Sequence, residues 1–424
     1  MKTIESVFKN GLCTGCGTCQ AMCMANAIKM KKDERSGSYL PQINILLCNQ
    51  CGVCYAICPG HRVDFRQLNS EIFIHQQHDD ELLGNHLNCF SGYANNINIR
   101  FNSASGGIVT ALLVFALEQK LIDGALVTRM RKDKPLEPEP FVARTEEEIL
   151  SASKSKYCPV PANIALREIL KHDGKFAVVG LPCHIQGIRK AEQVDKRLKN
   201  NIVLHLGIFC AHTDSFKGTE YLLNKYRINK ENIVNLDYRG TGWPGNMNIT
   251  FKNNDSKSIP FDDYMPFLHG GFFTIPRCLL CCDQSAELAD ISCGDAWLTE
   301  IMSNDRIGTS IIISRTDIGQ NLLEKARLYN IISMLEIEVA RIRGSVTKKI
   351  HYKTRSRVAR LIGRKIPLYD IKIPLVTSPT YYSAASFFFR MSLSRRYLWW
   401  SIAPYVKLQK LVDSIGKLVS RSTR

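Results

Sequence analysis

The sequence predicts a chain of three parts: an α+β N-terminal module, an α/β body built on a mixed sheet, and a helical basic tail. Three observations lead to this fold class. Two cysteine runs of the same spacing lie within the first 58 residues. The middle of the chain alternates strand-like and helix-like segments, and cysteines follow two of the strands. The end of the chain mixes aromatic side chains with Lys and Arg.

Length and composition limit the class of protein. A chain of 424 residues is long enough for two or three domains with a sizeable core, and 45% apolar residues is normal for a globular protein. No run of 18 apolar residues predicts a transmembrane helix, and the start "MKTIESVFKN" lacks the apolar core of a signal peptide. We therefore expect a cytoplasmic protein. In that compartment the 16 cysteines indicate metal or redox sites rather than disulfides.

The two runs, "CTGCGTCQAMC" from Cys13 and "CNQCGVCYAICP" from Cys48, have the spacing of a two-cluster 4Fe-4S ferredoxin. Three thiolates at two-residue spacing wrap three corners of a cubane, and the fourth ligand comes from the other run. The alternative is a pair of zinc sites. We predict a ferredoxin-type domain over residues 1–68 with two half-units, in which backbone N–H groups near Gly15, Gly17 and Gly52 approach the sulfurs. The predicted ligands are Cys13, Cys16, Cys19 and Cys58 for one cluster, and Cys48, Cys51, Cys54 and Cys23 for the other.

The body begins with "SASGGIVTALLVFALEQKLIDGALVTRM", in which a Ser/Gly loop opens a helix and a strand "GALVT" follows. The free N–H groups at the start of such a helix suit a phosphate or pyrophosphate. A plain Ser N-cap, with glycines for close packing, explains the same residues. The periodicity predicts a core-facing helix surface of Val109, Leu112, Leu113, Ala116 and Leu117.

Further cysteines predict a third four-thiolate site in the body. "GKFAVVGLPCHIQGIRKA" and "NNIVLHLGIFCAHTDS" each indicate a strand followed by a cysteine, Cys183 and Cys210. If the two strands are neighbours, their thiols lie close together at the carboxyl edge of the sheet. The "CLLC" pair, Cys278 and Cys281, completes four ligands, and spacing alone does not separate iron–sulfur from zinc. The remaining thiols are expected to be buried fillers: Cys89, Cys158, Cys282 and Cys293.

Together these segments resemble the coenzyme F420 (deazaflavin) hydrogenase/dehydrogenase beta-subunit family, over roughly residues 1–335. The motifs that carry the resemblance are "SASGG" at Ser103–Gly107, "SKYCPV" at Ser155–Val160, "GLPC" at Gly180–Cys183, "GIFC" at Gly207–Cys210, "YRGTGWPG" at Tyr238–Gly245, "CLLC" at Cys278–Cys281 and "ADISCGDAW" at Ala289–Trp297. The resemblance implies an N-terminal family region at 85–165, a C-terminal family region at 166–340 and an α/β mixed-sheet flavin-binding body.

The resemblance also implies cofactors. Members look like iron–sulfur flavoproteins that bind FAD and a 4Fe-4S cluster in the body, and many pass hydride between flavin and the deazaflavin coenzyme. Others reduce different substrates or accompany cell-surface polysaccharide biosynthesis. Two residues depart from the expected motif, because His184 stands where Gln is common and Cys282 could compete with Cys281 as a ligand. Carried over by motif, the resemblance implies that the third cluster is ligated by Cys183, Cys210, Cys278 and Cys281. It implies that the flavin is bound by Ser103, Ser105, Gly106, Gly107, Gly294, Asp295 and Trp297.

The tail, residues 341–424, holds 19 Lys and Arg against 2 Asp and Glu, whereas residues 1–340 balance at 37 of each sign. Its Pro-punctuated start, "RKIPLYDIKIPLVTSPT", predicts a linker. The following segment has an amphipathic pattern with Trp399 and Trp400 just upstream, typical either of a helix on an anionic membrane or of a protein-docking helix. Nothing indicates a nucleic-acid partner. The apolar positions are Leu408, Leu411, Val412, Ile415, Leu418 and Val419, and the cations are Lys407, Lys410, Lys417 and Arg421.

The predicted function is an iron–sulfur, flavin-dependent oxidoreductase. It would take electrons from an external donor, such as a ferredoxin or a partner subunit, through about ten to twelve irons and FAD to a two-electron acceptor. That acceptor is the deazaflavin coenzyme or a polysaccharide-pathway substrate. No acid/base residue stands out, because the cofactor carries the chemistry. The alternatives are an electron-transfer subunit without its own substrate and a zinc-stabilised interaction protein. If the tail binds lipid, the protein sits peripherally at the inner membrane face.

Overall fold

The computed structural model describes residues 2–73, 78–371 and 381–422, excluding the side chains of 78–79, 381–383 and 415–422. The N-terminal module contains helices and strands, as predicted. Its two halves are not equivalent: the first contains the antiparallel hairpin β1–β2, whereas β3 of the second half pairs with a strand of the tail. In chain order the elements are α1 (Ile4–Lys9), α2 (Thr18–Ala21), β1 (Ile28–Asp33), β2 (Ser38–Ile43), α3 (Val53–Ala56), β3 (Arg62–Val63) and α4 (Phe65–Ile72).

The body is a mixed α/β fold, as the strand and helix patterns predict. Short 3-10 turns at Ala162–Ala165, Lys230–Asn232 and Pro276–Leu280 complete it. Its elements are β4 (His78–Asp80), β5 (Gly84–His86), β6 (Asn88–Ala94), α5 (Ile97–Phe101), α6 (Ile108–Glu118), β7 (Gly124–Met130), β8 (Pro138–Ala143), α7 (Glu146–Ser151), α8 (Leu166–Ile169), β9 (Phe176–Gly180), α9 (Pro182–Glu192), α10 (Lys196–Asn201), β10 (Ile202–Ile208), α11 (Phe216–Lys225), β11 (Ile233–Asp237), β12 (Met247–Phe251), β13 (Ser256–Ile259), α12 (Phe261–Leu268), β14 (Ile291–Asp295), α13 (Thr299–Asn304), β15 (Ser310–Ser314), α14 (Asp317–Leu328) and β16 (Ile332–Glu336).

An eight-stranded sheet organises the body, in the order β16-β6-β15-β14-β10-β9-β7-β8. Strands β7, β9, β10 and β14 are parallel, and β8, β15 and β16 run antiparallel to their neighbours. The expectation that the strands preceding Cys183 and Cys210 are neighbours is confirmed, because Gly180 of β9 pairs with Gly207 of β10. The parallel strands end at one side of the sheet, here called the carboxyl edge, where antiparallel β15 begins.

Both faces of this sheet are covered. On β7, Ala125 and Val127 belong to one core cluster, and Leu126 between them belongs to another. This pattern follows from the two-residue period of a strand. Helix α6 packs against α7 and α14. It is therefore buried more completely than the predicted stripe, and Val109 and Leu117 of that stripe are only partly buried.

The tail lies on the body rather than extending away from it. Its elements begin with α15 (Val339–Arg343) and α16 (Lys348–Leu361), and a 3-10 turn at Arg396–Ser401 precedes the last helix. The predicted linker is partly wrong, because its residues Leu368–Tyr369 pair in parallel with β3; residues 372–380 lie outside the described part. The described helices include none with the length and apolar character to cross a membrane. The remaining elements are β17 (Leu368–Tyr369), α17 (Tyr381–Ser392) and α18 (Ile402–Ser422).

Candidate redox site

Four cysteines of the N-terminal module, the first thiol group, lie within electrostatic reach of one another. Burial raises the pKa of the Cys58 thiol to about 12, and Cys16 adds to the rise. Burial also raises the pKa of Cys19, with contributions from Cys13, Cys16 and Cys58. The structure therefore brings together the set that the spacing assigned to one cluster: Cys13, Cys16, Cys19 and Cys58.

The second thiol group lines a small open cavity. Cys23, Cys48, Cys51 and Cys54 share its wall with Met22 and apolar residues of the module. Cys51 is exposed and Cys54 is buried. The second group therefore lies nearer the protein surface than the first, which places it where an external donor can approach.

The third thiol group sits at the carboxyl edge of the sheet. Cys183 lies in the first turn of α9 and Cys210 follows β10, while Cys278 belongs to the 3-10 turn before Cys281. Burial is the main cause of the raised pKa of Cys183. The neighbouring thiols raise it further, Cys16 most and then Cys210, Cys278 and Cys281. The structure thus assembles the predicted third set, and Cys16 of the first group is its neighbour.

The donor set fits 4Fe-4S clusters. Backbone N–H groups donate to sulfur in the first two groups, and such bonds stabilise thiolate charge and tune a cluster's potential. Because the thiolates of a cubane ligate four different irons, they lie farther apart than the ligands of one ion. Among the described residues, no three Cys, His, Asp or Glu side chains converge on a single metal ion. The N–H donors are Ile4 to Cys54 (3.4 Å), Gly15 to Cys13 (3.4 Å), Ala27 to Cys23 (3.3 Å) and Gly60 to Cys58 (3.3 Å).

Two buried cations adjoin the thiol groups, and the sequence patterns did not assign them. The Arg277 guanidinium donates to the Gly60 and Leu280 carbonyls and to the Tyr369 hydroxyl. The Lys348 ammonium lies 3.4 Å from the Asp283 carbonyl oxygen. Burial lowers the pKa of Lys348, but the thiols of the third group outweigh it and leave that pKa above its ordinary value. Both cations therefore offset the negative charge that thiolates bring.

The two departures from the family motif have structural explanations. Cys282 is buried in the core cluster that contains Ile185 and Leu288, whereas its neighbour Cys281 is one of the thiols that raise the pKa of Cys183. The His184 ring accepts from the Leu181 N–H and bonds the Val160 carbonyl, so it caps its own helix. The four thiols expected as fillers are all buried: Cys89, Cys158, Cys282 and Cys293.

The Ser/Gly loop is held against β15. Ser105 Oγ donates to the Thr309 carbonyl, and the Gly106 N–H donates to Ser310 Oγ. A Cβ on Gly106 would lie 2.5 Å from the Gly92 carbonyl oxygen, so this glycine is required for close packing. Gly107, with φ +76°, caps α6 without a side-chain hydrogen bond, and Ser103 donates to the Ile99 carbonyl instead. The Ser N-cap part of that alternative is therefore wrong, whereas its close-packing part is confirmed at Gly106. Within the described part of the chain, no side-chain hydrogen bond caps the start of α6.

A buried arginine, Arg239, joins four of the motifs that carry the family resemblance. Its guanidinium donates to the carboxylate of Asp295 at 2.9 Å, to the Tyr157 hydroxyl at 3.3 Å and to the carbonyls of Ala104 and Pro244. Burial lowers the pKa of Arg239, but Asp295 and Tyr157 raise it overall, so the group stays charged. The sequence assigned neither Arg239 nor Tyr157, although both stand inside quoted motifs.

Aromatic rings lie near this arginine: its guanidinium carbon is 5.4 Å from the centroid of the Phe261 ring, which is 5.9 Å from that of Trp297. Trp297, one of the predicted flavin residues, packs on Trp243 with ring centroids 4.6 Å apart, and the buried Trp243 Nε1 has no hydrogen-bond partner among the described residues. The predicted Gly294 admits the Phe209 ring, since a Cβ there would lie 2.3 Å from it.

A chain of rings leads from this arginine towards the third thiol group. Tyr157 contacts His269 (5.7 Å between centroids), and His269 contacts His212 (5.3 Å), which is two residues from Cys210. The surroundings of Arg239 and the third thiol group are therefore connected through these three rings.

Gly17 offers a test of how much the close packing of the loop around the first thiol group contributes to the stability of the fold. Gly17 has φ +87°, and an added Cβ would lie 2.7 Å from Ile164 and 2.9 Å from the Pro161 carbonyl oxygen. We expect Gly17→Ala to lower the free energy of unfolding by about 3 kcal/mol, from backbone strain plus overpacking. Gly11→Ala is the matched control, with φ +68° and no atom within 4 Å; it should cost about 1 kcal/mol. Equal losses in thermal unfolding would contradict the packing argument.

The two cysteine runs of the N-terminal module define the class of the protein as iron–sulfur, and this module joins an α/β body that contains a further group of thiols. Residues 12–71 match the family model for a 4Fe-4S dicluster domain. Residues 89–167 and 173–339 match the N-terminal and C-terminal models for the coenzyme F420 hydrogenase/dehydrogenase beta subunit. The tail beyond residue 339 lies outside these matches.

Relatives and a solved structure agree with these matches. The chain is 28% identical to the coenzyme F420 hydrogenase subunit beta of Methanothermobacter thermautotrophicus, over 67% of this chain and 96% of the relative. It is 30% identical to the subunit of that name from Methanococcus voltae, over 57% of this chain and 81% of the relative. A chain of the F420-reducing nickel–iron hydrogenase complex from Methanosarcina barkeri superposes with a TM-score of 0.55 and 25% identity, covering 71% of this chain and 100% of that one. The chain belongs to the coenzyme F420 hydrogenase/dehydrogenase beta-subunit family.

Proposed function

We propose that this chain is an iron–sulfur flavoprotein oxidoreductase that accepts electrons one at a time from an external donor and delivers them in pairs to an acceptor. The observation that carries the proposal is the order of the sites. The second thiol group reaches the surface at Cys51, the first group adjoins the third through Cys16 and Cys183, and the third adjoins the Arg239 site through His212.

The Arg239 site is the proposed flavin position. When bound, FAD exchanges one or two electrons and so supplies the conversion between single electrons and hydride. The start of α6 presents backbone N–H groups to a pyrophosphate, because Gly107 leaves it without a side-chain cap. The Trp297 and Trp243 rings offer stacking surface, and the Trp243 Nε1 donor needs a partner. Arg239 holds the Ser/Gly loop, Asp295 and Tyr157 in fixed positions around this space.

The acceptor is proposed to be the deazaflavin coenzyme, because the matched relatives are coenzyme F420 hydrogenase beta subunits. A substrate of a cell-surface polysaccharide pathway is the second acceptor class. The donor is proposed to be a ferredoxin or a partner subunit, and the exposed Cys51 side of the second group would be its docking point. The test is anaerobic mixing of the flavin-loaded protein with reduced ferredoxin, NAD(P)H or reduced deazaflavin. Bleaching of the flavin absorbance by reduced ferredoxin, and reoxidation by oxidised deazaflavin, are expected. No bleaching by any of the three donors would contradict the proposal.

A second candidate function is an electron-transfer subunit without its own acceptor. It is favoured by the match to a chain of a hydrogenase complex. The two functions separate on flavin content: stoichiometric FAD with turnover of a small acceptor supports the enzyme, and clusters without flavin support the subunit.

Lys348 is expected to set the potential of the third site. Its buried ammonium lies beside Asp283 and interacts electrostatically with the thiols of Cys281, Cys210 and Cys278. A positive charge favours the reduced, more negative cluster, so Lys348→Met should make the midpoint potential more negative by on the order of 100 mV at an effective dielectric constant near 20. Redox titration followed by electron paramagnetic resonance measures this shift. Lys353→Met, in the same helix and exposed, is the control. Equal potentials in the Lys348 variant and the unmodified protein would contradict the assignment.

A further inference from the structure

Within the described side chains of the last helix, residues 402–414 of α18, one apolar face meets the body and a second is exposed. Ile402 and Val406, one turn apart, are buried in the core cluster that contains Phe272 and Phe273. Trp399, just before the helix, packs on Tyr221 and Phe273. The docked face thus fixes the helix on the protein.

The other face of α18 points away from this contact. Leu408, Leu411 and Val412 occupy positions i, i+3 and i+4 and therefore share one face of the helix. They are 61%, 57% and 58% exposed, and Trp400 just upstream is 76% exposed. We call these four residues the outer stripe. The positions Ile415, Leu418, Val419, Lys417 and Arg421 of the predicted amphipathic pattern lie outside the side chains that the structure describes.

The charge around the outer stripe indicates which surface covers it. The tail has an excess of 17 positive charges, whereas residues 1–340 are balanced. Lys407 is exposed next to Leu408 in the helix, and Arg395 is exposed five residues before Trp400. Two copies of the chain packed stripe to stripe would bring like charges together. An anionic lipid surface instead attracts each cation and accepts an apolar stripe flanked by Trp.

We infer that the outer stripe of α18 docks the protein on an anionic membrane surface, lying in the interface without crossing it. The docked face of the same helix then holds the α/β body at that surface. The family models end before this helix, so the inference concerns a property of this chain's own tail. It depends on the tail alone and is independent of the cofactor content proposed above.

The test is sedimentation of the full chain with vesicles. One set contains equal parts of phosphatidylglycerol and phosphatidylcholine, and the other contains phosphatidylcholine alone. We expect binding to the anionic vesicles to be at least about tenfold tighter and to weaken with salt. The variant Leu408→Ser/Leu411→Ser/Val412→Ser should lose about tenfold or more of this binding. The variant Arg395→Gln/Lys407→Gln should bind anionic vesicles more weakly than the unmodified protein does, and its binding to neutral vesicles should be unchanged.

The matched control is Ile318→Ser/Leu328→Ser/Leu335→Ser, three similarly exposed apolar residues on α14 and β16. It should bind vesicles like the unmodified protein. Equal pelleting of the stripe variant and the unmodified protein would overturn the inference, and so would equal affinity for neutral and anionic vesicles. A dimer that the stripe variant loses, without vesicle binding, would overturn it in favour of a second copy. Since all stripe residues are exposed, these variants keep the core intact, and an unchanged iron content confirms folding.

Discussion

Cys281→Ala is expected to remove one cluster, about four of about twelve irons, whereas Cys282→Ala should leave the iron content unchanged. The two thiols are adjacent in sequence but differ in surroundings. Cys281, like Cys210 and Cys278, raises the pKa of the Cys183 thiol, whereas Cys282 is buried among the apolar residues of the core. Iron and acid-labile sulfide per chain, measured after anaerobic reconstitution, distinguish the variants.

The same two variants distinguish the loss of a cluster ligand from a loss of protein stability. Cys282→Ala leaves a small cavity and should cost about 1 kcal/mol in the free energy of unfolding. Cys281→Ala should also slow reduction of bound flavin by an external donor, since the third group lies between the first group and the Arg239 site. If Cys282→Ala loses the iron instead, the assignment of the third group is wrong.

Arg239→Met combined with Asp295→Leu is expected to abolish flavin binding, with FAD per chain falling at least about tenfold, equivalent to about 1.4 kcal/mol. Changing both partners avoids leaving one buried charge unpaired, which alone would cost about 3–5 kcal/mol. The pair lies 2.9 Å apart, and its arginine is fully buried. The double variant still loses the bonds to the Ala104 and Pro244 carbonyls, so the Ser/Gly loop keeps only its contacts with the β15 region and should be held less rigidly.

Two further variants, one of them a control, accompany this test. Arg129→Met with Glu139→Leu removes a more exposed ion pair of the same 2.9 Å length from β7 and β8 and should retain flavin. Trp297→Ala alters a side chain that is 39% exposed, so it should fold normally and bind FAD more weakly. Full FAD occupancy in both the Arg239 variant and Trp297→Ala, with iron retained, would contradict the proposed flavin position.

Much of the iron–sulfur architecture could be predicted from sequence because cluster ligation depends on short spacings. The neighbouring positions of Cys183 and Cys210 followed from the rule that parallel strands end at one edge, and β9 and β10 are indeed paired. The choice between Cys281 and Cys282 did not follow from spacing, because the local turn of the backbone decides which thiol faces the core.

The centre of the body site was not predicted. Arg239 meets Tyr157, Ala104 and Asp295, which are 82, 135 and 56 residues away in the chain. No local pattern encodes such contacts, although charged and aromatic residues inside otherwise apolar motifs are a usable signal. The tail posed the same problem. The strand β17 was taken for a linker because its pairing with β3 joins residues about 300 positions apart, roughly three quarters of the chain length.

The measurement that tests the central claim most directly is the joint analysis of iron, acid-labile sulfide, zinc and FAD in the anaerobically purified, reconstituted full chain. We expect about twelve irons and about twelve sulfides, from three 4Fe-4S clusters, with about one FAD per chain. Zinc in place of iron, or full iron with no flavin after reconstitution with FAD, would contradict the account of an iron–sulfur flavoprotein.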